Sequence, residues 1–230
     1  MNRLQAEFQR LYLPHSPDGQ RDDSHESGLI DADGRVQAMV LGLARPADWQ
    51  AFSALWRGVQ VDLELPAPAI AVNGIDGYQL WFSLAQALPL SEAQTVLDHL
   101  RQRYLADIPP DRLRLLPGPA AQVPRQVAPE VWSAFVSSDL AAVFADTPWL
   151  DLPPGEDAQA ELLGRLVRTP AADVARVLVL PPSPPPAPTS AAAPTSRGDD
   201  LEARQFLLGV MRDPAIELPL RIEAAKALLR

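Results

Sequence analysis

Cysteine is absent from the 230-residue chain, so neither a disulfide nor a thiolate metal site is open to it. Lysine is almost absent as well: of 20 basic residues only Lys226 is lysine, the rest being arginine. With abundant alanine and 25 prolines, that usage points to a GC-rich bacterial genome and to no particular mechanism. No run of 18 apolar residues occurs, which excludes a transmembrane helix and predicts no membrane partner. The stretch Met1 to Phe8 is amphipathic and lacks a signal-peptide apolar block, so a cytoplasmic location is the expectation. Histidine numbers three, and two of these fall in the polar stretch 15–28 with Asp22, Asp23 and Glu26. His15 and His25 have no i,i+4 spacing there, so the stretch reads as a solvated loop, not a metal site. No Gly-rich P-loop, HExxH or nucleophile-elbow pattern is present. Positive charge is also short: the net charge of −9 argues against a surface broadly coated by nucleic acid, which needs a basic footprint. Locally the balance differs, with Arg101, Arg103, Arg112, Arg114 and Arg125 facing only Asp107 and Asp111 between positions 101 and 125.

What is present suffices for one domain with an appendage. The most informative stretch runs from Pro68 to Leu84, two apolar segments separated by Asn73-Gly74 and Asp76-Gly77, a turn signal between strands. Its second half alternates, Tyr78, Leu80 and Phe82 pointing one way and Gln79, Trp81 and Ser83 the other.

Around it the pattern predicts a helix within 1–14 on Leu4, Phe8, Leu11 and Tyr12. A hairpin follows, Leu29-Ile30 against Val36 to Leu43 across the turn 31–34. Pro46 opens a helix through Trp49, Phe52, Leu55 and Trp56 that Gly58 ends, and Val59 to Leu65 alternates as a strand. Ser91 to Gln94 forms a capping-box pattern ahead of the stripe Ala93, Val96, Leu97, Leu100 and Tyr104, with His99 off the stripe and exposed. Arg112 to Leu116 alternates as a last strand, which puts Arg112 and Arg114 on one face. Residues 36–116 thus read β-α-β-β-α-β, an α+β fold of the split βαβ, ferredoxin-like or RRM-like kind. Its antiparallel sheet carries two helices on one face and leaves the other open as the working surface.

From Val131 onward the chain reads as helical, through Trp132, Phe135, Val136, Leu140, Val143, Phe144, Trp149-Leu150 and Ala158 to Val167, with one more run to Leu180. Residues 1–180 form one domain on this reading. Residues 181–198 are a Pro/Ala/Ser-rich linker, and 199–230 a helical hairpin too small to stand alone, suited to recruiting a protein partner.

Residues 68–119 resemble the archaeo-eukaryotic primase superfamily, the plasmid replication primase-polymerases above all. The resemblance is carried by Val72-Asn73-Gly74, by Gly77-Tyr78-Gln79-Leu80-Trp81-Phe82 and by Arg114-Leu115-Leu116-Pro117-Gly118, about a quarter of the chain. It implies a split βαβ core, and in catalytic members paired carboxylates on a strand that hold Mg²⁺ or Mn²⁺ for nucleotidyl transfer. The corresponding strand here, Ala38 to Ala44, has no carboxylate, and Gln79 stands where the family commonly has histidine. The tail, Phe206 to Pro214 with Arg221 to Leu229, is similar to a segment of phage terminase small-subunit-like proteins, which suggests a mobile-element context.

Three functions follow as expectations. The first is a non-catalytic, primase-like module that binds single-stranded nucleic acid through Tyr78, Gln79, Trp81, Arg112 and Arg114, by stacking and phosphate contacts. For Trp81, burial in the core outweighs stacking. The second is a structural or interaction scaffold without nucleic acid, which the net charge favours. The third is a divergent nucleotidyltransferase, the only reading that calls for Mg²⁺ or Mn²⁺, with Asp62 and Glu64 as metal candidates and Asp76 or Asp111 in support.

Overall fold

A computed structural model describes residues 2–13, 29–45, 48–116 and 123–179, all within the compact unit Met1–Pro185. The polar stretch 15–28, the linker and the tail lie outside the described residues.

Helix α1 (Arg3–Tyr12) begins at a capping box. The Asn2 side chain accepts from the Gln5 N–H at 2.8 Å while Gln5 answers to the Asn2 N–H at 3.1 Å. Strand β1 (Arg35–Ala44) follows the 31–34 turn. The expected hairpin shrinks to a single bridge, Ile30 to Val36, because β1 takes its ladders from later strands.

Helix α2 (Trp49–Val61) is capped by Asp48, whose carboxylate accepts from the Ala51 N–H at 3.1 Å. Gly58 does not end it. The glycine makes room for Tyr104: a Cβ at position 58 would stand 2.3 Å from the ring's Cε1. Val59 stays on the buried helical stripe with Phe52 and Leu55, so the strand expected over 59–65 does not form.

Strands β2 (Ala69–Val72) and β3 (Gly77–Pro89) form the expected antiparallel pair around the 73–76 turn. Strand β3 runs five residues past Leu84 because β1 pairs with it as far as Arg35–Pro89. It feeds directly into α3 (Leu90–Tyr104), leaving Ser91 inside the helix without a capping role. After a 3₁₀ turn (Pro110–Arg112) comes β4 (Leu113–Leu116), antiparallel to β1.

Beyond residue 122 the helical expectation fails first. Residues 131–136 are a strand, β6, hairpinned to β5 (Arg125–Ala128) across Pro129-Glu130, and β6 extends the sheet from β2. Short apolar runs do not separate strand from helix by composition, and here pairing with β2 decides. Leu150 is not helical either: it forms an antiparallel bridge to Trp132, with Trp149 in the bend before it. A short 3₁₀ helix (Ala141–Phe144) takes up Val143 and Phe144, and α-helices follow at α4 (Glu156–Gly164) and α5 (Ala171–Val179).

The described residues form an α+β fold: one antiparallel six-stranded sheet in the order β4-β1-β3-β2-β6-β5, with five α-helices among them. Among the described residues no helix is long and apolar enough to cross a membrane.

Both faces of the sheet are packed. On one, Tyr78, Leu80 and Phe82 of β3 and Met39, Leu41 and Leu43 of β1 meet α2, α3 and α5. On the other, Ala38, Val40, Ala69, Ala71, Trp81 and Phe135 meet Leu4, Leu11 and Tyr12 of α1 and Ala160 and Leu163 of α4. The open working face expected from the split βαβ pattern is therefore covered by α1 and α4.

Their attachment is polar as well as apolar. Gln159 of α4 accepts from the Phe135 N–H at 2.8 Å and donates to the Phe135 carbonyl at 2.9 Å, taking the place of a neighbouring strand on β6. Asn2 donates to Glu156 at 3.1 Å. At the far end Arg10 donates to the carbonyls of Leu163 and Leu166, and Arg168 donates to the Arg10 carbonyl. Each arginine closes the carboxyl end of the other's helical segment, where carbonyls lack intrahelical partners. The two helices run parallel.

Candidate functional site

The residues proposed for nucleic-acid contact do not converge on one surface. Tyr78 is buried between Trp49 and Phe52, and its hydroxyl donates to the Ala141 carbonyl at 2.6 Å. Trp81 is 1 % exposed and lies edge-on to Phe8, Tyr12 and Phe135. Its indole N–H donates to Gln79 Oε1 at 3.0 Å, so Gln79 is buried as the partner of a core tryptophan. Neither ring presents a face to solvent, and in this arrangement neither can stack on a base.

Arg112 ends the 3₁₀ turn, half-buried, and does not share a strand face with Arg114. Arg114, on β4, is 51 % exposed and pairs with Asp76 at 2.9 Å. The remaining arginines of the cluster are spread out. Arg101 pairs with Asp98 on α3, Arg103 lies over the Tyr104 ring, and Arg125 is on β5 at the opposite end of the strand order from β4.

The carboxylates are no closer to a metal site. Asp62 caps the end of α2 and accepts from the Tyr104 hydroxyl at 3.1 Å, and Glu64 follows in the turn with φ of +53°. The i,i+2 strand geometry expected of them is absent because 62–65 is not a strand. Asp76 holds the 73–76 turn. One of its oxygens accepts from the Asn73 amide at 2.7 Å and the other from Arg114, while Asn73 Oδ1 gathers the N–H groups of Ile75, Asp76 and Gly77. Asp111 is exposed in the 3₁₀ turn. Among the described residues no group of three His, Asp or Glu side chains is placed to hold a metal ion. His99, expected in solvent, is half-buried with Nδ1 3.2 Å from the Val177 carbonyl of α5.

Asp62 and Glu64 do border a concave feature. A groove of about 540 Å³ runs between the 62–64 turn and α5, lined by Asp62, Leu63, Glu64, Ala172, Ala175, Arg176 and Val179. Its position follows from how α5 is held. Thr169 donates to the Ser83 carbonyl at 2.8 Å and accepts from the Ala85 N–H at 2.9 Å, extending β3 by one parallel bridge, and Pro170 then precedes the helix. Val174 and Val177 turn inward to the core. Arg176 ties α5 to the turn by donating to the Leu63 carbonyl at 3.1 Å, and it also meets Asp173 and Glu64.

The helical reading of the run to Leu180 does not by itself point to this groove. The signal was in the composition of α5. Seven of the nine residues in Ala171–Val179 are apolar, leaving Asp173 and Arg176 as the only polar side chains on a surface helix.

No family model matches the chain, and no curated protein matches it either.

Proposed function

We propose that this chain is a non-catalytic interaction scaffold, a protein whose sheet is a closed structural core and whose outer surface meets partner proteins. The observation that carries the reading is the sealed sheet. With α2, α3 and α5 on one face and α1 and α4 on the other, its aromatic residues serve packing. The net charge of −9 agrees, since it repels phosphate. The lack of a carboxylate anywhere in Ala38–Ala44, with Asp62, Asp76 and Glu64 engaged elsewhere, supports the non-catalytic part.

The core itself is proposed to be of the split βαβ, ferredoxin-like kind that the primase resemblance implies. The strand order β4-β1-β3-β2, with helices after β1 and β3, supports this, β6 and β5 being additions beyond β2. A primase-like module for single-stranded nucleic acid is the second reading, favoured by one observation, the half-exposed Arg114 beside the 73–76 turn.

The two are separated by binding of a labelled single-stranded oligonucleotide between 50 and 200 mM salt. A scaffold shows no saturable binding in the folded protein. A nucleic-acid module binds with a salt slope that Arg114→Ala lowers by about 0.7, the contribution of one single-strand phosphate contact.

A further inference from the structure

We infer that the groove between the 62–64 turn and α5 is a docking site for a cationic amphipathic helix of a partner protein. The inference rests on the interaction reading above and names the surface and the partner's chemistry.

The first argument is the face of α5. Ala172, Ala175 and Val179 stand at i, i+3 and i+7, on one side of the helix, and all three are exposed, Val179 at 84 %. The opposite side, Val174 and Val177, is already in the core, so α5 carries two apolar stripes and buries one. A helix that is apolar all round belongs in an interior. Leu63 contributes an apolar side chain to the groove from the turn. Two alanines three residues apart also keep the surface low, which allows a second helix to approach closely.

The second argument is charge. The lining holds Asp62 and Glu64 against Arg176, an excess of one carboxylate, and Asp173 adds a third negative charge beside Arg176 on α5. The Arg176 guanidinium is already shared among Glu64, Asp173 and the Leu63 carbonyl. Glu64, 78 % exposed, meets Arg176 only at 3.5 Å, so its carboxylate can also serve an incoming cation. Aliphatic side chains at i, i+3 and i+7 flanked by Lys or Arg match both features, the helix-in-groove mode of recognition. Acidic helices and nucleic acid meet repulsion at the same rim.

The experiment uses the full chain and fluorescently labelled 18-residue helical peptides of leucine and lysine, with the leucine and glutamate counterpart as control, read by anisotropy. The leucine–lysine peptide is expected to bind saturably and more weakly as salt rises. Val179→Gln and the double change Ala172→Gln with Ala175→Gln, all at exposed positions that leave the core intact, should weaken it at least tenfold. Glu64→Gln should weaken it about threefold and flatten the salt dependence. Val143→Gln, an exposed valine elsewhere, should leave it unchanged.

Equal loss with Val143→Gln, equal binding of the glutamate peptide, or no binding at millimolar peptide overturns the groove assignment. So does a dimer in sedimentation that Val179→Gln dissolves, since a second copy is then the occupant. None of these results supports oligonucleotide binding, so failure of the groove and failure of the scaffold reading remain distinguishable.

Discussion

Replacing Tyr12 by phenylalanine should stabilise the protein. The tyrosine is fully buried at the carboxyl end of α1, with its ring stacked on Phe135 and edge-on to Phe8 and Trp81. Its hydroxyl has no hydrogen-bond partner among the described residues. A buried hydroxyl left unpaired costs about 1–3 kcal/mol relative to one in water, and phenylalanine removes it while keeping every ring contact. The expected gain is about 1–2 kcal/mol, allowing for a small void where the oxygen was. For a chain of this size that raises Tm by about 2–8 °C. Urea unfolding followed by circular dichroism gives the free energy, with an unchanged m-value showing that the native state is the same. Tyr12→Ala is the counterpart. Losing the ring from between Trp81 and Phe135 should cost about 3–5 kcal/mol. A loss of 1 kcal/mol or more in the phenylalanine variant would refute the reasoning, because the hydroxyl would then have to be bonded and the packing of α1 on the sheet would differ from that described.

The other predictions concern the same architecture. Gln159→Met nearly preserves volume but orphans the N–H and C=O of Phe135, so it should cost about 2–5 kcal/mol in the same unfolding assay. Gly77→Ala would put a Cβ 1.8 Å from the Leu43 carbonyl oxygen and should cost about 3 kcal/mol or more. Gly34→Ala, with open space around it but φ of +71°, should cost only about 1–2 kcal/mol, and comparison of the two midpoints checks this. Burial raises all three tyrosines of the chain, Tyr78 and Tyr104 to about 12 from the usual 10. The raised folded-state values favour the protonated phenols, so this stabilisation is complete below pH 10 and is lost as pH climbs from 10 to 12. Absorbance at 295 nm should therefore show no phenolate near pH 10 and rise together with the loss of circular dichroism; a separate early step at pH 10 would contradict the burial.

Much of the first half of the fold could be read from residues alone. The β2–β3 pair was legible because Asn73 and the glycines mark a turn between alternating segments, and α3 because its apolar stripe is regular. The sealing of the second face was only half legible. Gln79 and Ser83 on β3 suggested solvent, but β1 reads Val36 to Leu43 with scarcely any polar alternation, the mark of a strand buried on both sides. The stripe Leu4, Phe8, Leu11 and Tyr12 likewise required something to cover. What no local pattern supplies is that α4, some 150 residues away, joins α1 there through Gln159 and the Arg10–Arg168 exchange. Gly58 misled because a glycine in a helical pattern signals an end unless the ring that needs its space, Tyr104, is known to be adjacent. Tyr78 and Trp81 are buried for the same reason that the expected open face is covered. Tyr78 and Trp81 were chosen as aromatics on a strand, and which side of a strand meets solvent is settled by distant helices.

The central claim, that the sheet is sealed and its aromatics are structural, is tested most directly at the Trp81 indole. In a ¹⁵N-labelled sample the five tryptophan N–H signals separate by amide–proton correlation, and loss of one in Trp81→Phe assigns it. Buried and bonded to Gln79, the Trp81 N–H should persist in D₂O long after that of the half-exposed Trp149 has exchanged. A saturating single-stranded oligonucleotide should leave its position unmoved. Exchange of Trp81 at the rate of Trp149, or a shift of its signal on adding the oligonucleotide, would contradict the account.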